Sequence, residues 1–265
     1  MKNINIILLF LIGLLSFSCE TTEIVEVDSP EVQTIVVEAE VMAANNFRGV
    51  RITHALPVGL PYDIKTAEIK NAYVYLKING IKIVPLHYKY DGIYLPLHND
   101  LLVKAGDTYE LFATINDQPV YAKTKVPNNP GIISTRYNNA GFLEAFLEPE
   151  SGEAYGAIWL IAGTSVKAND FYSIDKSPKN LSQTVSTRTK TIDNKYLSAE
   201  YNGKRYIQIF SFDSQFSDYF STKVQDDPSG NSIVSAGSGV VWNIIGENVI
   251  GLFIGIAKGD ATYVF

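Results

Sequence analysis

From Thr34 onward the chain alternates apolar and polar residues with a period of two, the repeat of a strand with one buried face. Thr34-Ile35-Val36-Val37-Glu38-Ala39-Glu40-Val41 reads as the first strand by its β-branched content, and residues 49–53 form a second such segment. Within residues 72–86, Asn79-Gly80 separates two alternating runs. Asn-Gly suits a two-residue type I′ turn, whose central positions both need positive φ. Such a turn predicts Ile78 opposite Ile81, Leu76 opposite Ile83, and Lys77 opposite Lys82. The lysine face must then look to water, because like charges directly opposed on a buried face would repel. Residues 108–126, after the turn residues Gly106-Asp107, predict another hairpin. Tyr109, Leu111, Ala113 and Ile115 point inward on the way out, and Val120, Ala122, Thr124 and Val126 on the way back.

Pro127-Asn128-Asn129-Pro130-Gly131 ends this run and predicts a boundary between a sandwich over 34–127 and a second β-rich domain over 131–265. Strands are expected at 132–137, 142–147 and 154–162, and a long polar loop from Ser165 to about Lys190. Tyr201-Asn202-Gly203-Lys204 predicts a second type I′ hairpin, with Glu200 across from Arg205. Residues 213–224 are the one expected helix, capped by Asp213 and carrying Phe216, Tyr219 and Phe220 on one face. Residues 237–246 and 249–265 are expected to close the fold as strands.

The chain's start follows a different rule. Lys2 precedes an apolar run over 4–15, then Ser16 and Ser18 lead to Cys19. The run is shorter than the roughly 18–20 residues a membrane-spanning helix needs. It has the proportions of a signal peptide, assigned to 1–18. Cys19 is the single cysteine of the chain and stands where lipoprotein processing requires one. Ser16 occupies the place where a lipobox usually has leucine, with Leu15 one position early. Cys19 is therefore expected to carry diacylglycerol through a thioether, each buried methylene contributing about 0.8 kcal/mol to membrane anchoring. The other reading is an ordinary secretory signal with an incidental cysteine. Residues 19–33, with Glu20, Glu23, Glu26, Asp28 and Glu31, read as an acidic tether. They resemble the surface-export signals of Bacteroidota lipoproteins, or equally a plain solvated linker. Cell-surface and periplasmic faces both stay open.

Composition narrows the function classes. A net charge of −6 with no basic cluster argues against nucleic acid. The histidines are His54, His87 and His98, in no zinc-site spacing, and no cofactor is implied. There is no Gly-x-Ser-x-Gly elbow, phosphate loop, dinucleotide fingerprint or calcium loop. No catalytic or metal residue is assigned, and an enzyme is the least favoured reading, a hydrolase with an unrecognised carboxylate pair being its form. Tyr88, Tyr90 and Tyr94, around Asp91-Gly92, are candidate ligand-binding residues, able to stack on a sugar or a protein partner. The alternative is that they are half-buried sandwich residues. Ala261-Thr262-Tyr263-Val264-Phe265 resembles the end of an outer-membrane barrel, without the regular ten-residue strands a barrel needs.

Several segments together carry a family resemblance: the Cys19 region and acidic tether, Ile35-Val36-Val37-Glu38-Ala39, Gly106-x-x-Tyr109-x-Leu111, Val120 to Pro127, Asp218-Tyr219-Phe220, and Trp242 to Gly255. With these the chain resembles the Bacteroidota lipoprotein family called domain of unknown function 4249. The resemblance implies a mainly β fold: an N-terminal immunoglobulin-like β-sandwich, then a second antiparallel β domain with one short helix. It also implies an outer-membrane location and frequent association with TonB-dependent transporters in nutrient uptake. The expected role is a lipid-anchored accessory or ligand-binding partner of such a transporter, with a structural or adhesive cell-surface protein as the alternative.

Overall fold

The computed structural model describes residues 33–56, 61–138, 141–150, 152–161, 171–178, 180, 182–198, 200–222 and 239–264. Cys19, the signal peptide and all of the tether but residue 33 lie outside the described residues.

Strand β1 (Ile35–Met42) forms where its β-branched content predicts a strand, buries Ile35, Val37, Ala39 and Val41 and turns Glu38 and Glu40 outward. It pairs antiparallel with β2 (Val50–His54). A four-residue helix α1 (Ile64–Ala67) comes next, its first turn capped by the Asp63 carboxylate accepting from Lys65 N at 2.9 Å. Then come β3 (Tyr73–Ile78), β4 (Lys82–Tyr90), β5 (Ile93–Pro96), β6 (Thr108–Ile115) and β7 (Gln118–Lys125). The expected β6–β7 hairpin forms, with Ile115 opposite Gln118 and a tight turn at Asn116-Asp117, both at positive φ. Every inward residue expected of it is at most 5 % exposed.

The β3–β4 hairpin departs from expectation by one residue. Asn79 (φ 51°) and Gly80 (φ 69°) do form the tight turn, closed by Ile81 N donating to Ile78 O at 3.0 Å. Yet Ile78 pairs with Lys82, Lys77 with Ile83 and Leu76 with Val84, so Ile81 is an extra residue. The turn is also tied sideways to the start of β6: Asn79 N donates to Thr108 O at 2.9 Å, and Thr108 N to Asn79 Oδ1 at 2.8 Å. Because side chains alternate, the slip exchanges the faces of β4. Val84 and Leu86 pack on the core side, while Ile81 and Ile83 are 86 % and 62 % exposed. Lys77 therefore never opposes Lys82.

Behind the Pro127–Gly131 break, β8 (Ile132–Tyr137), β9 (Leu143–Leu147) and β12 (Val185–Arg188) form a separate three-stranded sheet. β10 (Glu153–Ile161), β11 (Asp175–Lys176) and β13 (Arg205–Asp213) instead extend the large sheet. The stretch from Ser165 to Lys190 is thus not a plain loop, since its described part holds β11 and β12. The expected hairpin at Asn202-Gly203 does not form. Arg205 pairs with Ile161 of β10, and all nine residues of β13 pair with β10. Helix α2 (Gln215–Thr222) is where the expected helix lies, and Asp213 Oδ1 accepts from Gln215 N at 3.1 Å.

The chain then returns to the front of the fold. β14 (Ile244–Ile245) pairs with β7, and β15 (Val249–Lys258) runs parallel to the whole of β1; β16 (Thr262–Tyr263) pairs with β13. Of residues 237–246, 237 and 238 lie outside the described residues, and Ile244–Ile245 is the strand present among the others. Close approach of β15 to β1 depends on Gly251 at φ 136°, where a Cβ would overlap the Val37 carbonyl. The large sheet runs β11-β10-β13-β15-β1-β2-β5-β4-β3-β6-β7-β14. The fold is mainly β. Its front core draws on β1 to β7 and also on Ile244, Val249, Phe253 and Ala257, while a second core lies among β8 to β13. Strand pairing across Pro127–Gly131 joins the segments 34–127 and 131–265, and residues from Gln33 onward form one compact unit.

Candidate binding groove

The tyrosines singled out in the sequence do not share one open face. Asp91 (φ 48°) and Gly92 (φ 73°) make the tight turn between β4 and β5, and Tyr88 pairs with Tyr94. Tyr94 is 1 % exposed; its hydroxyl donates to Ile69 O at 2.8 Å and accepts from Ala72 N at 3.0 Å. Tyr88 packs edge-on against it and donates to Glu68. That hydrogen bond holds the Glu68 carboxyl below the usual carboxylate range and raises the Tyr88 hydroxyl. The ladder shifts between Tyr88 and Tyr90, and this irregularity turns Tyr90 outward, 51 % exposed. A three-ring stacking platform is therefore not formed; Tyr94 lies in the front core with Tyr88 packed against it, and Tyr90 is the one of the three turned to solvent.

The histidines are also dispersed. His87 and His98 line a shallow hollow of about 610 Å³ beside Lys82 and Lys104. His54 sits elsewhere, its Nδ1 buried, and burial lowers its pKa. Among the described residues no group of three or more His, Cys, Asp or Glu side chains could hold a metal ion. No helix among them is long and apolar enough to cross a membrane.

Tyr90 does border a larger groove, of about 1000 Å³, laid across β13, β15, β1, β2 and β5. Its floor is a series of stripes. Phe210 and Phe212 of β13 stand on one side, with Phe171 edge-on to both at 5.4 and 5.3 Å between ring centres. Phe216 of α2 packs on Phe212, ring centres 4.5 Å apart and planes tilted by 30°. Leu252, Ile254 and Ile256 of β15 continue this apolar wall. The next stripe is acidic: Glu38 and Glu40 of β1 lie opposite Leu252 and Ile254. Beyond it Arg51 of β2 lies opposite Glu38, and Ile93 of β5 opposite Arg51. Arg48, just before β2, adds a second guanidinium to that side. Although Glu38 and Arg51 are cross-strand neighbours, no ion pair within 4.0 Å engages Glu38, Glu40, Arg48 or Arg51 among the described residues. Elsewhere charges do pair: Lys65 with Asp91 at 2.5 Å and Lys176 with Asp218 at 2.6 Å.

Sequence reading misses this groove. The outward period of Glu38 and Glu40, and that of Phe210 and Phe212, is visible in the chain. What sets them two strands apart is the insertion of β15 between β1 and β13, a long-range pairing that no local pattern records.

Chemically the arrangement can hold a molecule with an apolar part and both signs of charge. Binding sites of this sort combine apolar walls with a few placed polar groups.

No curated protein matches the sequence. Among solved structures, the crystal structure of chicken CNTN1 FN1-FN3 domains is similar over 69 % of this chain and 60 % of that one, at 12 % identity and a TM-score of 0.27. This chain therefore spans less than two thirds of that chain's length. The sequence profile described as "Domain of unknown function (DUF4249)" matches residues 21–262, nearly the whole chain, and the protein belongs to that family.

Proposed function

We propose that this chain is an outer-membrane lipoprotein, held through Cys19, that acts as a non-enzymatic accessory or ligand-binding partner of a TonB-dependent transporter. The observation that carries the reading is the groove of about 1000 Å³, with Glu38, Glu40, Arg48 and Arg51 in no ion pair among the described residues and set beside a phenylalanine wall. Unpaired charge set next to apolar surface gains from a ligand that supplies what the protein leaves out. The signal-peptide pattern ending at Cys19 and the family resemblance support the location and the partner.

The test is purification of the native protein in mild detergent, with identification of what comes with it. A TonB-dependent receptor in the eluate is the expected result, and a protein that is consistently alone overturns the partnership. Labelling with a fatty-acid analogue tests the anchor: the wild-type protein takes the label and Cys19→Ser does not. Equal labelling of the two overturns lipidation at Cys19.

One observation favours the rival reading, a structural or adhesive surface protein. Pro85, Tyr75, Phe112, Tyr121 and Ile245 form a cross-strand row on the outer face of β4, β3, β6, β7 and β14. Tyr75 and Phe112 stack at 5.0 Å with planes 8° apart, and Ile245 is 65 % exposed. Under that reading, Tyr75→Ser with Phe112→Ser abolishes attachment to surfaces; under the transporter reading it leaves co-purification intact.

A further inference from the structure

The order of the stripes specifies the ligand more narrowly than the presence of a groove does. Apolar wall, carboxylates and guanidiniums succeed one another on strands β13–β15, β1 and β2, with Leu252, Glu38, Arg51 and Ile93 in one cross-strand row. Neighbouring strands are about 4.8 Å apart, so the acidic and basic stripes are separated by roughly one such step. A simple anion would meet Glu38 and Glu40 beside the arginines, and a simple cation would meet the arginines beside the glutamates. Neither is matched. A zwitterion with its positive end toward β1 and its negative end toward β2 is matched at both ends. Peptide chain advances about 3.3 Å per residue, so two residues reach from one stripe to the other with their termini on opposite charges.

The third stripe adds a side-chain preference. β15 lies one strand beyond the carboxylates, and the half-buried Leu252, Phe210, Phe171 and Phe216 present apolar surface there. A group attached next to the ligand's ammonium reaches that wall, whereas a group next to its carboxylate points toward Ile93 and Tyr90. An aromatic ring on the amino-terminal residue would meet Phe210 and Phe171, themselves arranged edge to face, in a geometry that aromatic rings favour. A volume of about 1000 Å³ has ample room for such a ligand.

We infer that the groove binds a short zwitterionic peptide with an aromatic amino-terminal residue. Its α-ammonium rests on Glu38 and Glu40, its carboxylate on Arg48 and Arg51, and its first side chain on the phenylalanine wall. The inference rests on the reading of this groove as a ligand site. The competing state, Glu38 and Arg51 closing on each other, contributes at most about 1 kcal/mol on an exposed face and yields readily to a ligand that satisfies both.

The experiment is calorimetric titration of the full-length protein in detergent with the dipeptide Phe-Ala, its N-acetyl derivative, its C-terminal amide, and Ala-Ala. Phe-Ala is expected to bind, and each of the other three to bind about tenfold more weakly, the loss of one charge-assisted or aromatic contact. Arg48→Gln with Arg51→Gln should erase the difference between Phe-Ala and its amide while keeping that between Phe-Ala and the acetylated form; Glu38→Gln with Glu40→Gln should do the reverse. No binding of Phe-Ala at millimolar concentration, or equal binding of all four peptides, overturns the inference. So do variants that fold and retain both discriminations. Should a variant fail to fold, the wild-type comparison of the four peptides still decides. Co-purification of a transporter with no peptide binding removes this inference alone, and peptide binding without a partner removes the partnership alone.

Discussion

Asn-Gly occurs at 79–80 and again at 202–203, each time in a polar spot between apolar runs, and the chain answers the two differently. At the first, both residues take positive φ and two strands leave in antiparallel pairing. At the second, neither residue is at positive φ, and the strand after it pairs elsewhere. The turn chemistry is the same; the flanks differ. Residues 73–78 and 82–90 pair through the turn, with β6 on the far side of the first strand and β5 on the far side of the second. Upstream of Asn202, by contrast, the backbone is already bonded locally: Asp193 caps a 3-10 turn at Asn194–Tyr196, and Ser198 N donates to Asn194 O at 3.1 Å. Downstream, β13 pairs along its full length with β10. A tight-turn dipeptide thus permits a hairpin, and the competition between long-range partners decides whether one forms.

Arg205 is the residue that holds the second arrangement, and its removal should produce the largest effect. It is 6 % exposed and donates to the carbonyls of Tyr196, Ser198 and Tyr201, pinning the upstream segment against the start of β13. Arg205→Ala leaves those acceptors without their charged donor and should cost about 3 kcal/mol or more, read as a lowered urea midpoint at unchanged slope. Arg205→Lys should recover only part, because one ammonium cannot replace a planar fork of donors. A loss below about 1 kcal/mol in Arg205→Ala would mean that the guanidinium is not what displaces the hairpin.

The ladder that outcompetes the hairpin can be weakened from its other strand by pH. Tyr155 of β10 lies opposite Ser211 of β13 and is 1 % exposed. Burial, with the nearby Glu153 carboxylate that its hydroxyl donates to at 3.0 Å, pushes its pKa up to about 12. The folded state therefore holds this proton when an unfolded tyrosine, at its ordinary value near 10, has lost it. With the folded pKa raised, the contribution is fully present below pH 10 and is lost as pH rises from 10 through 12. The two-unit shift corresponds to about 2–3 kcal/mol. Tyr155→Phe should be less stable at neutral pH through its lost hydrogen bonds, and its stability should fall less steeply than wild type over that alkaline window. Parallel curves for the two proteins would exclude Tyr155 as the source of the dependence.

What was legible in the chain obeys the same division between local and long-range information. The alternation from Tyr109 to Val126 specifies both strands and their faces, because every element of that hairpin is written within eighteen residues or so of its partner. The outward faces of Glu38 and Glu40 and the cap at Asp213 are local in the same way. Three features are not. Parallel pairing of β1 with β15 joins the two ends of the described chain. The extra residue Ile81 arises where the turn is bonded to Thr108 of another strand. The irregularity that parts Tyr90 from Tyr88 depends on the fit between β4 and β5. Period-two reasoning carries a side chain's direction only as far as the ladder stays regular, and the irregular step parts Tyr90 from Tyr88 and Tyr94, which pack on the core. The groove was missed because its stripes come from strands that become neighbours only in the folded sheet.

The smallest expected effect separates the two dipeptides most directly, by placing the same side chain at both glycines. At Gly80, with φ 69°, no atom lies within 4 Å of where a Cβ would stand, so packing neither opposes nor favours a larger residue. The cost of Gly80→Val is then backbone strain alone, on the order of 1–2 kcal/mol for a β-branched residue in left-handed geometry. At Gly203 φ is not positive, so that strain is absent, and the obstacle is the Tyr201 ring lying over the glycine. The ring belongs to a half-buried residue and must swing away from its contacts with Tyr196 and Arg205, at an expense near the low end of overpacking, about 1 kcal/mol. Gly80→Val should therefore lower the urea midpoint more than Gly203→Val does, although both replace glycine in Asn-Gly. Gly80→Ala should fall between wild type and valine, because the left-handed penalty applies to any Cβ and grows with branching. Equal losses at 80 and 203 would show that both sites carry the same backbone strain, and the contrast between a formed and an unformed turn would have to be abandoned.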